Sequence, residues 1–454
     1  MMLRLQPKFS INYPPGPKGV PLRGVFPQFL RDPLTLLSQS AATYGDIVAL
    51  RFFNRTGYLL NHPAYIQHVL VDNNQNYRKG RGLGLVKPVV GEGLLTSEGD
   101  FHLRQRRLMQ PAFHRHQIAA FAETMVAATD HHIDSWRAGQ QRDLHQELMQ
   151  LTLTIVGQTL FGVDVAGKNR ELAHLLDELM REFRFQDGTP WGQLLAQLPT
   201  ARQRRRQRLL HRLDEAIFGF IEAARQRDPE QPNLLTMLLA AQEADGSRMS
   251  NQQLRDELMT LFIAGHETTA NALTWSFYLL DQHPAAQAQL VAELETVLGG
   301  RLPTLADVPN LKFSRMVFAE AMRLYPPAWV IGRQAIAADQ IGGYPIAANA
   351  PIFVSQWVMH RHPAYWDQPD CFMPARFDES QPDYQKPPRY VYFPFGGGPR
   401  LCIGEQFAWL EGVLLLATLA QRFRFQRLNH LPLKPQALIT LRPQGGMPVR
   451  LLPG

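Results

Sequence analysis

The 454-residue sequence predicts a mainly α-helical protein with small β-sheets, folded as a single domain over residues 1–454 with a proline-rich N-terminal segment at 1–20. Apolar residues recur at helical spacing almost without interruption from Phe101 to about Leu298. Only a few short segments alternate between apolar and polar residues, as half-buried strands do. No linker, repeat or low-complexity tract divides the chain, and its 45% of apolar residues can fill a large core.

The alternating segments predict the strands. Residues 47–52 and 58–61 read as a β-hairpin joined by Asn-Arg-Thr-Gly at 54–57, a turn-forming sequence. Further short strands are predicted at 341–346 and 351–354.

The longest predicted helix spans 250–283. Ser250 and Gln253 form a capping-box pattern at its start, and Pro284 ends it. Its roughly thirty residues, at about 1.5 Å each, would cross an entire domain. Two further helices are predicted at 311–324 and 403–423. Breaks in the helical run are predicted at residues 111, 188–190, 199 and 229–232.

Composition excludes several classes of protein. The two cysteines, Cys371 and Cys402, are too few for a disulfide scaffold or a cysteine-rich zinc site. No run of about 18 apolar residues predicts a transmembrane anchor, and the first twenty residues lack the apolar stretch of a secretory signal. We therefore expect a soluble, cytoplasmic protein.

The net charge of +7 is concentrated in a basic run between Arg202 and Arg212. Such a run can bind nucleic acid, but no aromatic residues are interleaved with it. We therefore expect no nucleic-acid partner and interpret the run as the solvated start of a helix.

The most informative segment is 395–404, Phe-Gly-Gly-Gly-Pro-Arg-Leu-Cys-Ile-Gly. Cys402 lies in a glycine-rich loop before an apolar helix, whose N-terminus stabilises a thiolate through its partial positive charge and free N–H groups. Glycines let the backbone approach a flat ligand, and Arg400 suits an anionic group on that ligand. The alternatives are an inert cysteine in a turn and a disulfide with Cys371.

This segment resembles the haem-binding loop of the cytochrome P450 family, with Phe395, Gly398, Arg400, Cys402 and Gly404 at the family's fixed positions. The resemblance covers the chain from about residue 14 onward. It implies haem b with Cys402 as the axial thiolate, and with Phe395, Arg400 and Gly404 in the cofactor-binding loop.

Residues 264–269, Ala-Gly-His-Glu-Thr-Thr, lie in the middle of the longest predicted helix. Gly265 and the two threonines are weak helix formers, so the hydrogen-bond ladder opens easily here, and the glycine leaves room for a small ligand. The stretch resembles the family's oxygen-activation motif. The resemblance implies that Glu267 and Thr268 are catalytic and supply protons.

Glu320 and Arg323 lie three residues apart on one predicted helix among apolar residues. Such a pair is usually a weak surface salt bridge, but apolar surroundings favour burial, where it needs further partners. The segment near Trp366 resembles the part of the family that supplies a second arginine, here Arg376. The resemblance implies a structural network of the three charges beneath the cysteine loop.

His102 and Arg106 are four residues apart and share a face of a predicted helix, whereas Arg104 and Arg107 point away. The family usually has tryptophan and arginine at the shared face, both reaching a haem propionate. His102 departs from that pattern but keeps an N–H donor. Arg333 matches another propionate-binding position, so the resemblance implies that His102, Arg106, Arg333 and Arg400 form one set.

The resemblance implies a monooxygenase that inserts one atom of O2 into a small hydrophobic substrate by hydroxylation or epoxidation. No flavin or iron–sulfur signature is fused to the chain, so the electrons of NAD(P)H would arrive through a ferredoxin and its reductase, or a flavodoxin. Arg104 and Arg107 are candidate docking charges. The residues expected to face the substrate are Phe262, Ala264, Trp329, Val330 and Ile439.

Three rival functions remain at this stage. A peroxide-using or isomerising enzyme could share the fold, although such enzymes often lack the acid–threonine pair. A cysteine-nucleophile hydrolase would be colourless, and a non-catalytic haem binder would not turn over NAD(P)H. The identity of the substrate, the native redox partner and the oligomeric state are not encoded in any motif of the sequence.

Overall fold

The computed structural model describes residues 13–162, 175, 178, 200–226, 233–242, 246 and 248–454. Within these residues the protein is mainly α-helical with several small sheets, as predicted. The predicted breaks at 188–190, 199 and 229–232 lie outside the described residues, as does 1–12. The α-helices span Phe26–Arg31, Pro33–Tyr44, Pro63–Gln67, Lys87–Val90, Gly99–Met109, Arg115–Ala119, Ala122–Ile133, Leu144–Phe161, Ala201–Arg225, Leu234–Ala240, Asn251–Gln282, Pro284–Leu298, Lys312–Leu324, Gln356–Met359 and Glu405–Arg422.

The central helix, Asn251–Gln282, begins and ends within a residue of its predicted bounds. Ser250 and Gln253 form the predicted capping box, each side chain bonded to the other's backbone N–H. Every residue from Leu254 to Leu280 is buried except three that lie within one turn, 264, 265 and 268. The helix therefore runs through the core and is open only in that turn.

The cysteine helix, Glu405–Arg422, packs against the central helix in the same large apolar core. Every residue from Leu410 to Ala420 is buried. A helix that is apolar on all sides must be enclosed by other elements. These two enclosed helices frame the interior in which the site lies.

A five-stranded sheet lies at one side of the molecule, in the order 47–52, 55–60, 351–354, 331–335 and 77–79. All its pairs are antiparallel except the one between 55–60 and 351–354. The strands of the structure are Ile47–Phe52, Arg55–Leu60, Tyr77–Lys79, Gln141–Asp143, Ile331–Ala335, Asp339–Ile341, Tyr344–Ile346, Pro351–Val354, Phe423–Arg427, Pro435–Ala437, Leu441–Pro443 and Pro448–Pro453.

Two strand predictions need correction. The second strand of the first hairpin begins at Arg55, so the turn contains only Phe53 and Asn54, with Phe53 at φ +54°. The predicted strand 341–346 is instead the tip of a hairpin that turns at Gly342 and Gly343, both with positive φ. Tight two-residue turns of this kind favour positive φ, which glycine adopts without strain.

The basic run lies at the start of the helix Ala201–Arg225, as predicted. Five of its arginines, Arg202, Arg204, Arg205, Arg208 and Arg212, are exposed, while Leu209 and Leu213 begin the buried stripe of the helix. Among the described residues, no helix is both long and apolar enough to span a membrane.

Candidate functional site

The cysteine loop is a tight turn that only glycine can form at residue 398. Gly398 has φ +66°, and a Cβ atom there would lie 1.9 Å from the carbonyl oxygen of Leu70. The N–H group of Cys402 donates to the carbonyl of Phe395 at 3.0 Å, which closes the loop onto itself. The glycine at position 398 therefore has a structural reason of its own.

Cys402 lies inside the molecule, yet its side chain keeps accessible surface, so it faces an internal space and not solvent. Burial raises the pKa of the thiol to about 11, and a hydrogen bond from the N–H of Gly404 offsets part of that effect. A cysteine nucleophile needs a lowered pKa, so the site does not favour a hydrolase. A bound cation would be needed to hold Cys402 as a thiolate.

The opening of the central helix provides a second surface of this interior. Ala264 is exposed, and Gly265 and Thr268 are partly exposed, in a helix that is otherwise buried over 27 positions, 254–280. A Cβ atom at Gly265 would lie 3.0 Å from Val156, so the glycine allows the helix Leu144–Phe161 to pack closely.

The hydrogen-bond ladder of the central helix is continuous through the motif. The hydroxyl of Thr268 donates to the carbonyl of Ala264 at 2.8 Å, one turn earlier. The hydroxyl of Thr152 donates to the carbonyl of His266 at 3.0 Å. Side chains thus add bonds to the carbonyls of this turn without breaking it.

Glu267 does not face the same interior as Thr268. It is only 2% exposed, and its Oε1 accepts a hydrogen bond from the hydroxyl of Thr440 at 2.5 Å. The guanidinium of Arg442 lies 2.9 Å from the same oxygen. The structure therefore separates the two predicted catalytic residues, with the acid turned toward the C-terminal strands.

The predicted cations lie close together, and Lys79, which the sequence did not reveal, lies among them. Lys79 lies directly opposite Arg333 across two antiparallel strands. Its ammonium group donates to the carbonyls of Leu94 and Ser97 at 2.9 and 3.1 Å. Like charges in facing positions destabilise a sheet, so this placement indicates a functional requirement. Only strand register, which the sequence leaves open, brings Lys79 to the site.

Arg400 and Arg106 are held in place by backbone carbonyls. Arg400 donates to the carbonyl of Ser97 at 2.8 Å and forms an ion pair with Glu98 at 2.5 Å. Arg106 donates to the carbonyl of Leu401 at 2.7 Å, beside Cys402. These contacts fix the two guanidinium groups around the cysteine loop.

Burial and the neighbouring cations lower the pKa values of several groups in this cluster. Burial and, after it, four neighbouring cations lower the pKa of His102 to about 3, so its imidazole is neutral at pH 7. Burial and then Arg400 lower the pKa of Lys79 to about 7. Burial likewise lowers the pKa of Arg333 to about 10. The carboxylates of Glu98 and Glu257 act on Lys79 in the opposite direction but do not reverse the shift.

These features fit the haem that the resemblance implies. A buried cluster of mutually repelling cations suits a ligand with two carboxylates, which is the complement that haem propionates supply. A sulfur that faces an interior space suits an axial metal ligand. Cys402 would hold the metal, and Lys79, His102, Arg106, Arg333 and Arg400 would hold the propionates.

The charges beneath the loop form the predicted network. Glu320 and Arg323 have no exposed surface and share two hydrogen bonds at 2.7 and 2.8 Å. Arg376 lies 3.4 Å from the same carboxylate. Arg323 also donates to the carbonyl of His360 at 2.8 Å. The carboxylate and guanidinium are thus satisfied by several partners, as a buried pair requires.

His360 connects this network to the cysteine loop and had no signal in the sequence. Its Nε2 accepts a hydrogen bond from the N–H of Phe393 at 3.0 Å. The carbonyl of Phe393 in turn accepts from the N–H of Gly396, which belongs to the cysteine loop. Burial, followed by the charges of Arg323 and Arg361, lowers the pKa of His360 to about 3. The neutral ring can therefore act as the acceptor for Phe393.

Two of the predicted substrate-facing residues do not reach the interior space. Phe262 is fully buried and stacks on Phe161, with ring centroids 4.2 Å apart. Trp329 is 1% exposed and donates its indole N–H to the carbonyl of Leu438 at 2.9 Å. Both predictions are wrong for the same reason, since each side chain packs against protein on the far side of its element.

Ala264, Val330 and Ile439 keep accessible surface, as a substrate-facing residue must. Ala328, at the bend before the strand Ile331–Ala335, is exposed as well.

Comparison with known proteins gives a consistent result. The family profile described as Cytochrome P450 matches residues 14–448. The chain is 38% identical over 441 residues to cyclooctatin synthase of Streptomyces melanosporofaciens, covering 96% of this chain and 94% of that one. It is 33% identical over 413 residues to cyclooctat-9-en-7-ol 5-monooxygenase of the same organism (90% and 89%). It is 32% identical over 427 residues to pentalenene oxygenase of Streptomyces avermitilis (94% and 94%).

Proposed function

Because the chain belongs to the cytochrome P450 family and is a cytochrome P450 monooxygenase, we propose that its substrate is a terpenoid hydrocarbon or a terpenoid that already carries one oxygen. Three relatives at 32–38% identity are bacterial enzymes that oxidise terpenes. Their printed names include pentalenene and cyclooctat-9-en-7-ol, which are carbocyclic compounds with few polar groups. The observation that carries the proposal to this chain is the apolar opening of the central helix at Ala264.

The cofactor of the family is haem with a cysteine axial ligand, for which Cys402 is our proposed residue. Bound haem supplies the activation of dioxygen, favoured by electron donation from the thiolate. We assign this chain's residues two tasks around it. Lys79, Arg106, Arg333 and Arg400, with neutral His102 as a further donor, hold and orient the propionates. The loop around Gly398 holds the sulfur in place.

Thr268 is the proposed proton donor of the interior space. Its hydroxyl is partly exposed where the central helix opens, and its bond to the carbonyl of Ala264 orients it. We assign Glu267 the task of replenishing that proton from the other side of the helix. In the structure Thr440 and Arg442 hold the carboxylate of Glu267. The carboxylate must therefore rotate away from them to transfer a proton to Thr268.

Apolar contact should govern substrate affinity. Ala264, Ala328 and Val330 offer hydrocarbon surface, and Thr268 is the one hydroxyl that the central helix opens to the interior within its described residues. Affinity should then rise with buried hydrocarbon area at about 25 cal/mol per Å².

A ligand titration tests this proposal. Displacement of the iron-bound water, read as a shift of the haem toward high spin, should be strongest with pentalenene-sized and larger terpenoids. It should be weaker with medium-chain fatty acids, and absent with small polar analogues. Tighter binding of the polar analogues would overturn the assignment.

A matched pair of variants locates the binding site. Ala264→Leu should weaken terpenoid binding about tenfold or more, because the larger side chain fills the opening of the central helix. Ala288→Leu, an exposed alanine on the helix Pro284–Leu298, is the control and should bind as the parent does. Equal binding by both variants would place the substrate elsewhere.

Redox partners are typical of the bacterial relatives. We further propose that the electrons come from a separate ferredoxin or flavodoxin that docks near Arg104 and Arg107, and that the enzyme acts in the cytoplasm. Both arginines lie on the helix Gly99–Met109, which also carries His102 and Arg106, and Arg107 is exposed. Acidic carriers are attracted to such charges in a salt-dependent way.

Arg107→Glu should raise the KM for a ferredoxin several-fold at low salt while leaving terpenoid binding unchanged. Arg31→Glu, an exposed arginine on another helix, is the control. Equal carrier kinetics in both variants would exclude docking at Arg107.

A further inference from the structure

Glu267 is the end of a hydrogen-bonded string of four residues that joins three separate parts of the chain. Its Oε1 accepts from the hydroxyl of Thr440, and the oxygen of that hydroxyl accepts from Nδ2 of Asn271 at 3.2 Å. The other side of the Asn271 amide, Oδ1, lies 2.9 Å from Nε2 of His145. Asn271 has no exposed surface, so both ends of its amide are committed to this string.

Every hydrogen in the string points toward Glu267. An amide oxygen only accepts, so His145 must carry its proton on Nε2 and donate to Asn271. The amide nitrogen of Asn271 only donates, so the single hydroxyl proton of Thr440 is left for the carboxylate. Hydrogen bonds aligned in one direction polarise and strengthen one another.

The string is anchored at its far end. His145 is the second residue of the helix Leu144–Phe161, whose N-cap residue Asp143 accepts a hydrogen bond from the N–H of His145 at 3.1 Å. The same carboxylate accepts from the N–H of Met447 at 2.9 Å. These contacts fix the backbone position from which the His145 side chain reaches Asn271.

We propose that Asn271, together with His145 and Thr440, is a positioning residue that holds the Glu267 carboxylate on Arg442, and thereby sets how readily Glu267 turns to supply protons to Thr268. The proposal rests on the role assigned to Glu267 above. Asn271 is four residues after Glu267 on the central helix, so both side chains project from one face. No substrate or cofactor contact is required of Asn271.

The charges around the string favour a neutral histidine. Burial is the largest effect on His145 and lowers its pKa, while Asp143 and Glu267 act against this and Arg442 acts with it. The positive group that faces Glu267 is Arg442, at 2.9 Å. At neutral pH, His145 therefore serves as a donor without carrying charge, and the string directs donors toward Glu267 without adding a second cation.

The experiment compares Asn271→Leu, Thr440→Val and Glu267→Gln in the haem-loaded enzyme. We measure product formed per NAD(P)H from pH 5.5 to 8.5, the solvent deuterium isotope effect on kcat, and the position of the Glu267 carboxylate by crystallography. Thr440→Val is isosteric and guards against misfolding of Asn271→Leu. Thr274→Val is the control, because the buried hydroxyl of Thr274 bonds only to its own helix at the carbonyl of Ala270.

Asn271→Leu and Thr440→Val should each lower the product formed per NAD(P)H about three- to tenfold. The carboxylate loses the donors that hold it, and it should leave Arg442 or occupy two positions. Thr274→Val should match the parent in all three measurements.

The outcomes separate this proposal from the one on which it rests. If Glu267→Gln changes the profile but the two string variants do not, the string has no positioning role. If Glu267→Gln itself leaves the profile and the isotope effect unchanged, the assigned role of Glu267 fails instead. A string variant with altered kinetics but an unmoved carboxylate would also contradict positioning.

Discussion

Lys79 and Arg400 donate hydrogen bonds to the same backbone oxygen, the carbonyl of Ser97, at 3.1 and 2.8 Å. Two cations converge there although Arg400 is among the groups that lower the pKa of Lys79. Such an arrangement is costly in the unliganded protein and becomes favourable when anions arrive. We therefore interpret Ser97 as the backbone position that aims both cations at the propionates.

Lys79→Met should reduce haem retention about tenfold, because one charge-assisted hydrogen bond to a carboxylate is lost. Transfer of haem to apomyoglobin measures the loss. Lys87→Met is the control, since Lys87 is half-exposed and pairs with Glu92 at the surface. Equal haem transfer rates in the two variants would show that Lys79 does not contact the cofactor.

Cys402→Ala should abolish the thiolate-type spectrum of the reduced carbon monoxide complex, since a thiolate requires a cysteine and Cys402 is the cysteine of the loop. Cys371→Ala should leave that spectrum unchanged, because Cys371 is exposed and its carbonyl, not its sulfur, bonds to Arg323. Loss of the spectrum on replacing Cys371 would contradict the assigned ligand.

Arg323→Ala should destabilise the fold by roughly 3–5 kcal/mol and yield little haem-loaded protein, because it leaves the carboxylate of Glu320 buried with fewer donors. Denaturant unfolding and haem content measure both effects. Arg301→Ala is the control, since Arg301 forms a comparable two-bond pair with Asp307 but is half-exposed. A comparable loss in the two variants would show that burial is not the decisive factor.

Thr268→Ala should keep haem and substrate binding but divert reducing equivalents to hydrogen peroxide, because proton supply in the interior is impaired. The ratio of peroxide to product per NAD(P)H measures the diversion. Thr296→Ala is the control, since Thr296 makes the same bond to its own helix at 2.8 Å on an exposed surface. Unchanged coupling in Thr268→Ala would refute the assignment.

Glu411→Gln should stabilise the protein relative to the parent, and this gain in the free energy of unfolding should grow as the pH rises. Burial raises the pKa of Glu411 to about 8, and Thr269 is the hydroxyl that partly offsets it. The folded state therefore keeps a proton that the unfolded state releases above about pH 4.5, so the parent loses stability from there to about pH 8.

The glutamine side chain does not titrate. The difference in free energy of unfolding between the variant and the parent should therefore grow by roughly a few kcal/mol between pH 5 and 8. Denaturant unfolding at several pH values measures it. Glu295→Gln, an exposed position, should show a constant difference from its parent. A pH-independent difference for Glu411→Gln would mean that the buried carboxyl is ionised throughout.

The sequence predicted the parts of the fold that are encoded over a few residues. The capping box at Ser250 and Gln253, the end of the helix at Leu324 before two prolines, and the glycine-rich loop around Cys402 all have local causes. The same holds for the buried Glu320–Arg323 pair, which lies on one helix turn. Short-range geometry and solvation suffice for each of them.

What only the tertiary structure decided are the directions of side chains and the contacts between distant segments. Phe262 and Trp329 have the right composition for a pocket but face the core, because packing on neighbouring elements sets which side of a helix or strand is enclosed. The bond between Thr440 and Glu267 spans 173 residues, and the one between Arg400 and Ser97 spans 303. Lys79 joins the cations through strand register, and His360 joins the cysteine loop through Phe393. Such contacts exist only after folding has brought the segments together, because the residues at their two ends have no common local pattern.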